Sequence, residues 1–283
     1  MKQIKETMSE VIDSIKNPVQ GLPTGLESVD KATGGYKPGQ LIVIAGRSSM
    51  GKTAMLGDCV LAQTGKTLFF SLEMSSIVLT QRLIANEANI NFRTLVNNET
   101  DDGQNKRIRA AIGKLQESNI FIDDTPCLTP GQFWDKAEEH EDADLIIIDH
   151  LHLMRHDNGR LGEVQALDDI CQQLRAYAKT KNVPIVLACQ LNRNTENRQT
   201  HEPRLSDLRG SGGIEQDSDI VLLLYRPSYY LQREISYDTV DDGDAEVIVA
   251  KQRNGITGKI KTIFLGNFMS FRDSPDETMS NWR

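Results

Sequence analysis

Along residues 2–16, Ile4, Met8, Val11, Ile12 and Ile15 recur at helical spacing with Lys, Glu and Asp between them. That periodicity predicts an amphipathic helix with a single apolar stripe. The following NPVQGLPTG carries two prolines and two glycines and breaks the pattern. The helix is therefore expected to stand apart, as a linker or docking segment over residues 1–20 ahead of one large domain over 21–283. Its stripe has two readings: a helix folded back on its own domain, or an arm docked on another subunit.

From residue 40 the pattern changes. LIVIAG, TLFFS, IFIDD, LIIID, VPIVLAC and DIVLLLY are short, continuous apolar runs. Between them lie helical patterns: KTAMLGDCVLAQ, SSIVLTQRLIANEA, PGQFWDKAEEH with Thr129 as its cap, and GEVQALDDICQQLRAYAKT. Strands that are apolar on both faces, alternating with helices, predict an α/β fold with a mostly parallel twisted sheet covered on both sides. AEVIVAK and GKIKTIFL predict a late antiparallel pair joined by QRNGIT and extending that sheet. The polar stretch VNNETDDGQNK reads as surface. No repeat or low-complexity segment is present.

The 283 residues are 39% hydrophobic, enough to bury a sizeable core. No run of about 18 apolar residues exists, and the charged MKQIKETMSEVIDSIKN is no signal peptide, so no membrane association is expected. Cys59, Cys127, Cys171 and Cys189 are scattered with no C-x-x-C pair. They read as reduced thiols in a cytoplasmic protein, and no zinc motif is indicated. The net charge of −8 argues against a general nucleic-acid coat protein but leaves room for a local basic loop.

The chemistry starts with GRSSMGKT, which fits G-x-x-x-x-G-K-[ST] between a predicted strand and a predicted helix. Gly46 and Gly51 permit backbone angles that turn N–H groups toward phosphate, and the helix N-terminus adds positive potential. Gly46, Arg47, Ser48, Ser49, Met50, Gly51, Lys52, Thr53 and Ala54 are the candidate nucleotide-binding residues. Lys52 would reach the β- and γ-phosphates, and the Thr53 hydroxyl would face Mg²⁺. Partner groups belong at the ends of neighbouring strands. Asp149 ends LIIID and suits a Mg²⁺ carboxylate; Glu73, just past TLFFS, suits the base for an attacking water; Gln190 ends VPIVLACQ and suits a γ-phosphate sensor. The chain is thus expected to bind and hydrolyse a nucleoside triphosphate.

In AKQRNG, Lys251 and Arg253 stand at alternate positions, so on a strand they aim the same way and need an anion before them. The order GLPTG, GRSSMGKT, FSLEM, LIIIDHLHLM, QLNR, LSDLRGSGGIEQDSDIVLLLYR and AKQRNGITG resembles the C-terminal motor domain of DnaB-type replicative helicases. The likeness runs from about Gly21 to about Phe271; its opening motifs are shared by RecA-like ATPases generally, and the last three are specific to the helicase branch. It implies a RecA-like fold, ATP and Mg²⁺ as cofactors, a homo-hexameric ring, 5′ to 3′ translocation on single-stranded DNA, and a helicase loader and a primase as further partners. It implies that Glu73 is the catalytic base, Thr53 and Asp149 the Mg²⁺ residues and Gln190 the sensor. Lys251 and Arg253 would face the γ-phosphate held by the adjacent subunit.

Two loops are candidates for DNA: MRHDNGRLGE after Asp149, and NTENRQTHEPRLSDLRGSGG after Gln190. In the second, Arg209, Gly210 and Gly212 align with the family's DNA-gripping loop, although the family commonly has glutamate where Gly210 stands. Neither loop carries stacking aromatics, which fits gripping of the backbone. His150 stands where the family commonly has tyrosine and forms an H-x-H with His152; with no further ligand evident, both read as structural. The family's linker helix follows a domain of about 100–150 residues; this chain starts at that helix, as an excised motor or a naturally short relative of phage or plasmid origin would. Two other classes stay open: a filament-forming recombinase or repair ATPase, and a regulatory RecA-like ATPase acting on protein partners.

Overall fold

A computed structural model of the chain describes residues 3–17, 19–208, 211–230, 243–275 and 279–280. The first helix, α1 (Ile4–Lys16), carries a capping box between Gln3 and Glu6. Its apolar stripe is not folded back on the domain: Ile4 is 82% and Ile15 73% exposed, and Met8 and Ile12 are about half exposed.

Ten strands form one sheet among the described residues. Six are parallel: β1 (Leu41–Gly46), β2 (Thr67–Ser71), β3 (Ile120–Asp123), β4 (Leu145–Asp149), β5 (Ile185–Gln190) and β6 (Ile220–Tyr225), in the spatial order β6-β1-β5-β4-β2-β3. β7 (Asp244–Gln252) and β8 (Gly258–Leu265) extend it as the late antiparallel pair that AEVIVAK and GKIKTIFL predict. Two short strands, β9 (Ser270–Asp273) and β10 (Met279–Ser280), pair with β8.

The continuous apolar runs make sense because both faces are covered. On one face Ile42 and Ile44 of β1 meet α2 (Glu27–Thr33), α3 (Lys52–Leu61) and α4 (Ser76–Ala88) through Val29, Met55, Leu56, Leu79 and Leu83. A short helix, α5 (Phe92–Val96), follows α4 and is capped by the Asn91 side chain. Part of VNNETDDGQNK then departs from the loop reading. It opens α6 (Asp102–Gln116), started by a capping box of Asp101 with Gln104. Its apolar signal is thin, Ala111 being its one buried residue, packed with Ala88 and Ile90. On the other face of the sheet Leu41, Val43 and Ala45 meet α7 (Pro130–Glu138) and α8 (Glu163–Lys181) through Phe133, Ile170, Leu174 and Tyr177. Thr129 caps α7 with a capping box, Pro130 sitting at its first turn.

The late strands are tied to the first half by one buried carboxylate. Asp58 of α3, 5% exposed, accepts hydrogen bonds from Asn86 Nδ2 (2.7 Å), Ser270 Oγ (2.7 Å) and the Phe271 backbone N–H (2.6 Å). Burial alone pushes this carboxyl upward, and those donors oppose the shift. Replacing Asp58 with alanine leaves the buried Phe271 N–H and Asn86 amide without their acceptor. Asp58→Ala is expected to lower the unfolding free energy by about 2–4 kcal/mol in urea titration. A loss below about 1 kcal/mol would show that β9 is held mainly by its other contacts, among them Asp273 accepting from the Glu27 and Ser28 N–H groups.

Candidate active site

The parallel strands deliver their last residues to one edge of the sheet. Gly46 pairs with Gln190, and Ser71 with Asp149, in register. From Gly46 the chain turns through Arg47–Met50, with the Met50 N–H donating to the Arg47 carbonyl (3.3 Å), and enters α3 at Lys52. Ser49 (φ 66°) and Gly51 (φ 95°) take left-handed backbone angles. At Gly51 the need for glycine is double. An added Cβ would lie 2.8 Å from a Phe271 ring carbon and 2.9 Å from one of Phe264.

Lys52 Nζ donates to the carbonyls of Gly46 (3.1 Å) and Arg47 (3.2 Å), holding its charge across the mouth of the loop. Burial lowers the affinity of this amine for its proton, and the charges of Asp149 and Glu73 oppose that. Thr53 Oγ1 donates to Asp149 Oδ2 at 2.7 Å. Asp149 is 1% exposed, and its Oδ1 is buried with no hydrogen-bond partner. Burial raises its pKa; the Thr53 bond pulls the other way. The Leu72 N–H bonds to the Asp149 carbonyl (2.7 Å), carrying the ladder one step past Ser71 and setting Glu73 beside Asp149. His150 Nδ1 lies 3.1 Å from Glu73 Oε2, and this bond is the first cause holding Glu73 below the usual carboxylate range. Glu73 is therefore ionised at neutral pH and fit to accept a proton.

Around these groups lies a cleft of about 360 Å³ lined by Ser48, Ser49, Gly51, Lys52, Thr53, Ala54 and Glu73. Two residues of the loop turn their side chains elsewhere. Arg47 is committed to Glu196 (2.8 Å) and the Leu191 carbonyl (2.9 Å), and Met50 is 1% exposed in the core. Both offer the cleft only backbone. The fold also adds residues the motifs did not flag. Met74, Arg82, Phe264 and Met269 complete the lining. Arg226 donates to the Ser49 carbonyl (2.9 Å) with its guanidinium 4.2 Å from the Phe264 ring centre. Only long-range pairing of β8 and β9 against α3 brings the aromatics there, and no local pattern announces it.

Lys251 and Arg253 do converge, as their alternation predicts. Lys251 Nζ donates to the carbonyls of Glu215 and Ser218 (2.8 Å), and Arg253 donates to that of Gln216 (2.6 Å). These carbonyls close α9 (Ser211–Asp217) and its exit, a partial negative charge that offsets the paired cations. Asp219 forms an ion pair with Arg253 Nε (3.3 Å) and accepts a hydrogen bond from the Leu41 N–H (2.9 Å). Leu41 opens β1, and Gln252 pairs with Ile220 at the start of β6. The two cations therefore sit at the opposite edge of the sheet from the loop that follows Gly46.

Of the DNA candidates, Arg209 and Gly210 lie outside the described residues. Gly212 is exposed on the first turn of α9 with open space where a side chain would stand. Its neighbour Gly213 donates its N–H to Asp168 (3.0 Å), so it is Gly213 whose missing side chain lets α9 pack on α8. Upstream, Arg198 pairs with the buried Asp207 at 2.5 Å and folds that loop into short turns.

The family model for the DnaB-like helicase C-terminal domain matches residues 21–273. The chain belongs to this family. It is 34% identical over 285 residues to the replicative DNA helicase DnaB of Geobacillus stearothermophilus, covering 95% of this chain and 62% of that protein. The chain thus spans about three fifths of the length of the curated relatives it matches. A DnaB-like replicative helicase solved in a study of its interactions with primase superposes with a TM-score of 0.86 at 28% identity, covering 97% of this chain and 67% of that one. A second solved structure, an isolated ATPase domain, superposes at 0.89 and 28% identity, covering 97% of this chain and 99% of that one. The fold predicted from the strand–helix alternation is that of these ATPase domains. Among the described residues no helix is long and apolar enough to cross a membrane.

Gly51→Ala tests the loop. With the backbone at positive φ and two rings in contact, the substitution is expected to cost about 1–3 kcal/mol and to displace the loop. Fluorescent-nucleotide titration should show at least tenfold weaker binding; unchanged affinity would place the nucleotide elsewhere.

Proposed function

We propose that this chain is the motor of a ring-forming, ATP-dependent replicative DNA helicase that translocates 5′ to 3′ on single-stranded DNA. The observation that carries it is the separation of the two halves of the catalytic set. Lys251 and Arg253 stand at one end of β1 and β6, and Lys52, Thr53, Glu73 and Asp149 at the other. A six-residue strand spans about 17–20 Å, too far for one chain to apply both sets to one triphosphate. A second copy, presenting its Lys251 and Arg253 edge to the first copy's cleft, completes the site.

In that arrangement the loop's N–H groups and Lys52 bind and orient the phosphates. Glu73 accepts the proton of the attacking water, held in its acceptor state by His150. The neighbour's Lys251 and Arg253 stabilise negative charge developing on the γ-phosphate, so hydrolysis depends on subunit contact. Gln190, on the strand beside Gly46, links the state of the site to the loop leading toward Gly212. The buried, unpartnered Asp149 Oδ1 beside the Thr53 hydroxyl fits Mg²⁺: Thr53 and Asp149 would hold it, and the ion would neutralise phosphate charge. Arg209, Gly210 and Gly212 would grip the DNA backbone without reading bases. The exposed stripe of α1 would dock on the adjacent subunit and help close a hexamer. A loader and a primase would be further partners of the assembled ring.

Hydrolysis by mixtures of wild type and Arg253→Ala is expected to fall more steeply than the mutant fraction, and single-stranded DNA should stimulate the wild type. Linear dilution with no DNA response would favour the regulatory ATPase instead. Arg253→Ala alone should keep nucleotide affinity within a few-fold, where Lys52→Ala loses it. Deleting residues 1–18 should shift assembly toward smaller species in sedimentation at equal concentration; an unchanged distribution would remove α1 from the interface.

A further inference from the structure

Of the H-x-H that follows β4, His150 is joined in the fold by two carboxylates, Glu73 and Asp149, while His152 faces the Gln190 N–H instead. Glu73, Asp149 and His150 each offer one ligand atom, and these lie within 4.8 Å of one another. Asp149 is 1% and His150 9% exposed, so two of the three are withdrawn from water. Asp149 gives Oδ2 to Thr53 while Oδ1 is buried without a hydrogen bond. The 3.1 Å between His150 Nδ1 and Glu73 Oε2 is close to the ~3.4 Å edge of a tetrahedron with ~2.1 Å bonds. Two donors on one ion with ~2.1 Å bonds lie at most ~4.2 Å apart, so a set held within 4.8 Å needs little rearrangement to close on an ion. Glu73, about half exposed, can swing toward the two buried ligands.

We propose that Glu73, Asp149 and His150 form a binding site for a divalent transition ion of the Zn²⁺ or Co²⁺ type, occupied without nucleotide. Two carboxylates and one imidazole are a donor set such ions take, with a fourth position left to water. Mg²⁺ prefers oxygen alone; its proposed residues, Thr53 and Asp149, share Asp149 with this set but include neither Glu73 nor the imidazole. The ammonium of Lys52 nearby opposes any cation, but two carboxylates outnumber it. Bound there, the ion takes the Glu73 carboxylate as a ligand and denies it the proton of the water. The site is therefore inhibitory, a consequence that rests on Glu73 acting as the base.

The test is titration of the metal-free full chain with Co²⁺, followed by visible absorption, in the absence of nucleotide and DNA. One Co²⁺ per chain is expected, with the spectrum of a low-coordinate site, displaced by Zn²⁺ and not by equal Mg²⁺. His150→Tyr keeps a hydroxyl for Glu73 but removes the ring nitrogen, and should weaken Co²⁺ binding at least about tenfold. Glu73→Gln, an isosteric change at a half-exposed position, should weaken it comparably. Absence of a one-to-one site, or affinity unchanged in both variants, would overturn the proposal and leave His150 as a hydrogen-bond partner of Glu73. Since no nucleotide or DNA enters the assay, its failure is distinct from failure of the helicase reading.

Discussion

A sheet buried on both faces leaves its polar chemistry two places to go, the two ends of its strands. The parallel strands at its centre are apolar along their length because helices cover them above and below. Charged and hydrogen-bonding groups are therefore driven to the edges. One edge gathers the loop after Gly46, with Glu73, Asp149 and Gln190. The other gathers Asp219 with Arg175 and Arg253, and the Lys251 ammonium on the carbonyls that end α9. The polarity of the sheet thus gives each chain two unlike polar ends facing opposite ways, which the proposed function reads as complementary half-sites. That is the geometry a ring of identical subunits needs, since head-to-tail contact brings unlike edges together.

The antiparallel extension serves the same cleft by a different route. β8 and β9 swing Phe264 and Phe271 against Gly51, with the rings 4.9 Å apart, and Asp58 holds β9 by its backbone. The phosphate loop is therefore shaped from outside as well as by its own glycines. Arg226 adds a third brace by gripping the Ser49 carbonyl while stacking on Phe264. A loop with left-handed residues stores conformational strain, and these contacts hold it in one shape.

At the centre, buried charge is balanced locally. Lys52 lies among backbone carbonyls and two carboxylates, Asp149 keeps one oxygen free, and Glu73 leans on His150. The side chain that follows Asp149 decides what touches the base. Here it is an imidazole, which can both hydrogen-bond and ligate, so the same contact underlies both the proposed base and the proposed ion site.

The sequence by itself determined the strand–helix alternation, the position of the phosphate loop and the order of carboxylates along the chain. These are local: apolar run length, capping residues such as Thr129 and Pro130, and glycine spacing report on neighbours a few residues away. It also aimed Lys251 and Arg253 the same way; in the structure β7 stops at Gln252, and Arg253, in the turn beyond it, still reaches the same group of carbonyls as Lys251. It was blind where a signal is polar or distant. α6 buries only Ala111, so it carried almost no apolar period to read, although its capping box was there. Arg226, Phe264 and Phe271 enter the site only by folding across most of the chain, and Arg82 enters from a helix face. Tertiary structure alone decided that His150 meets Glu73, that Arg47 turns away from the cleft, and that the paired cations lie a strand's length from their own phosphate loop. Those outcomes depend on strand order and register, which arise from packing of the whole sheet and leave no trace in a local window.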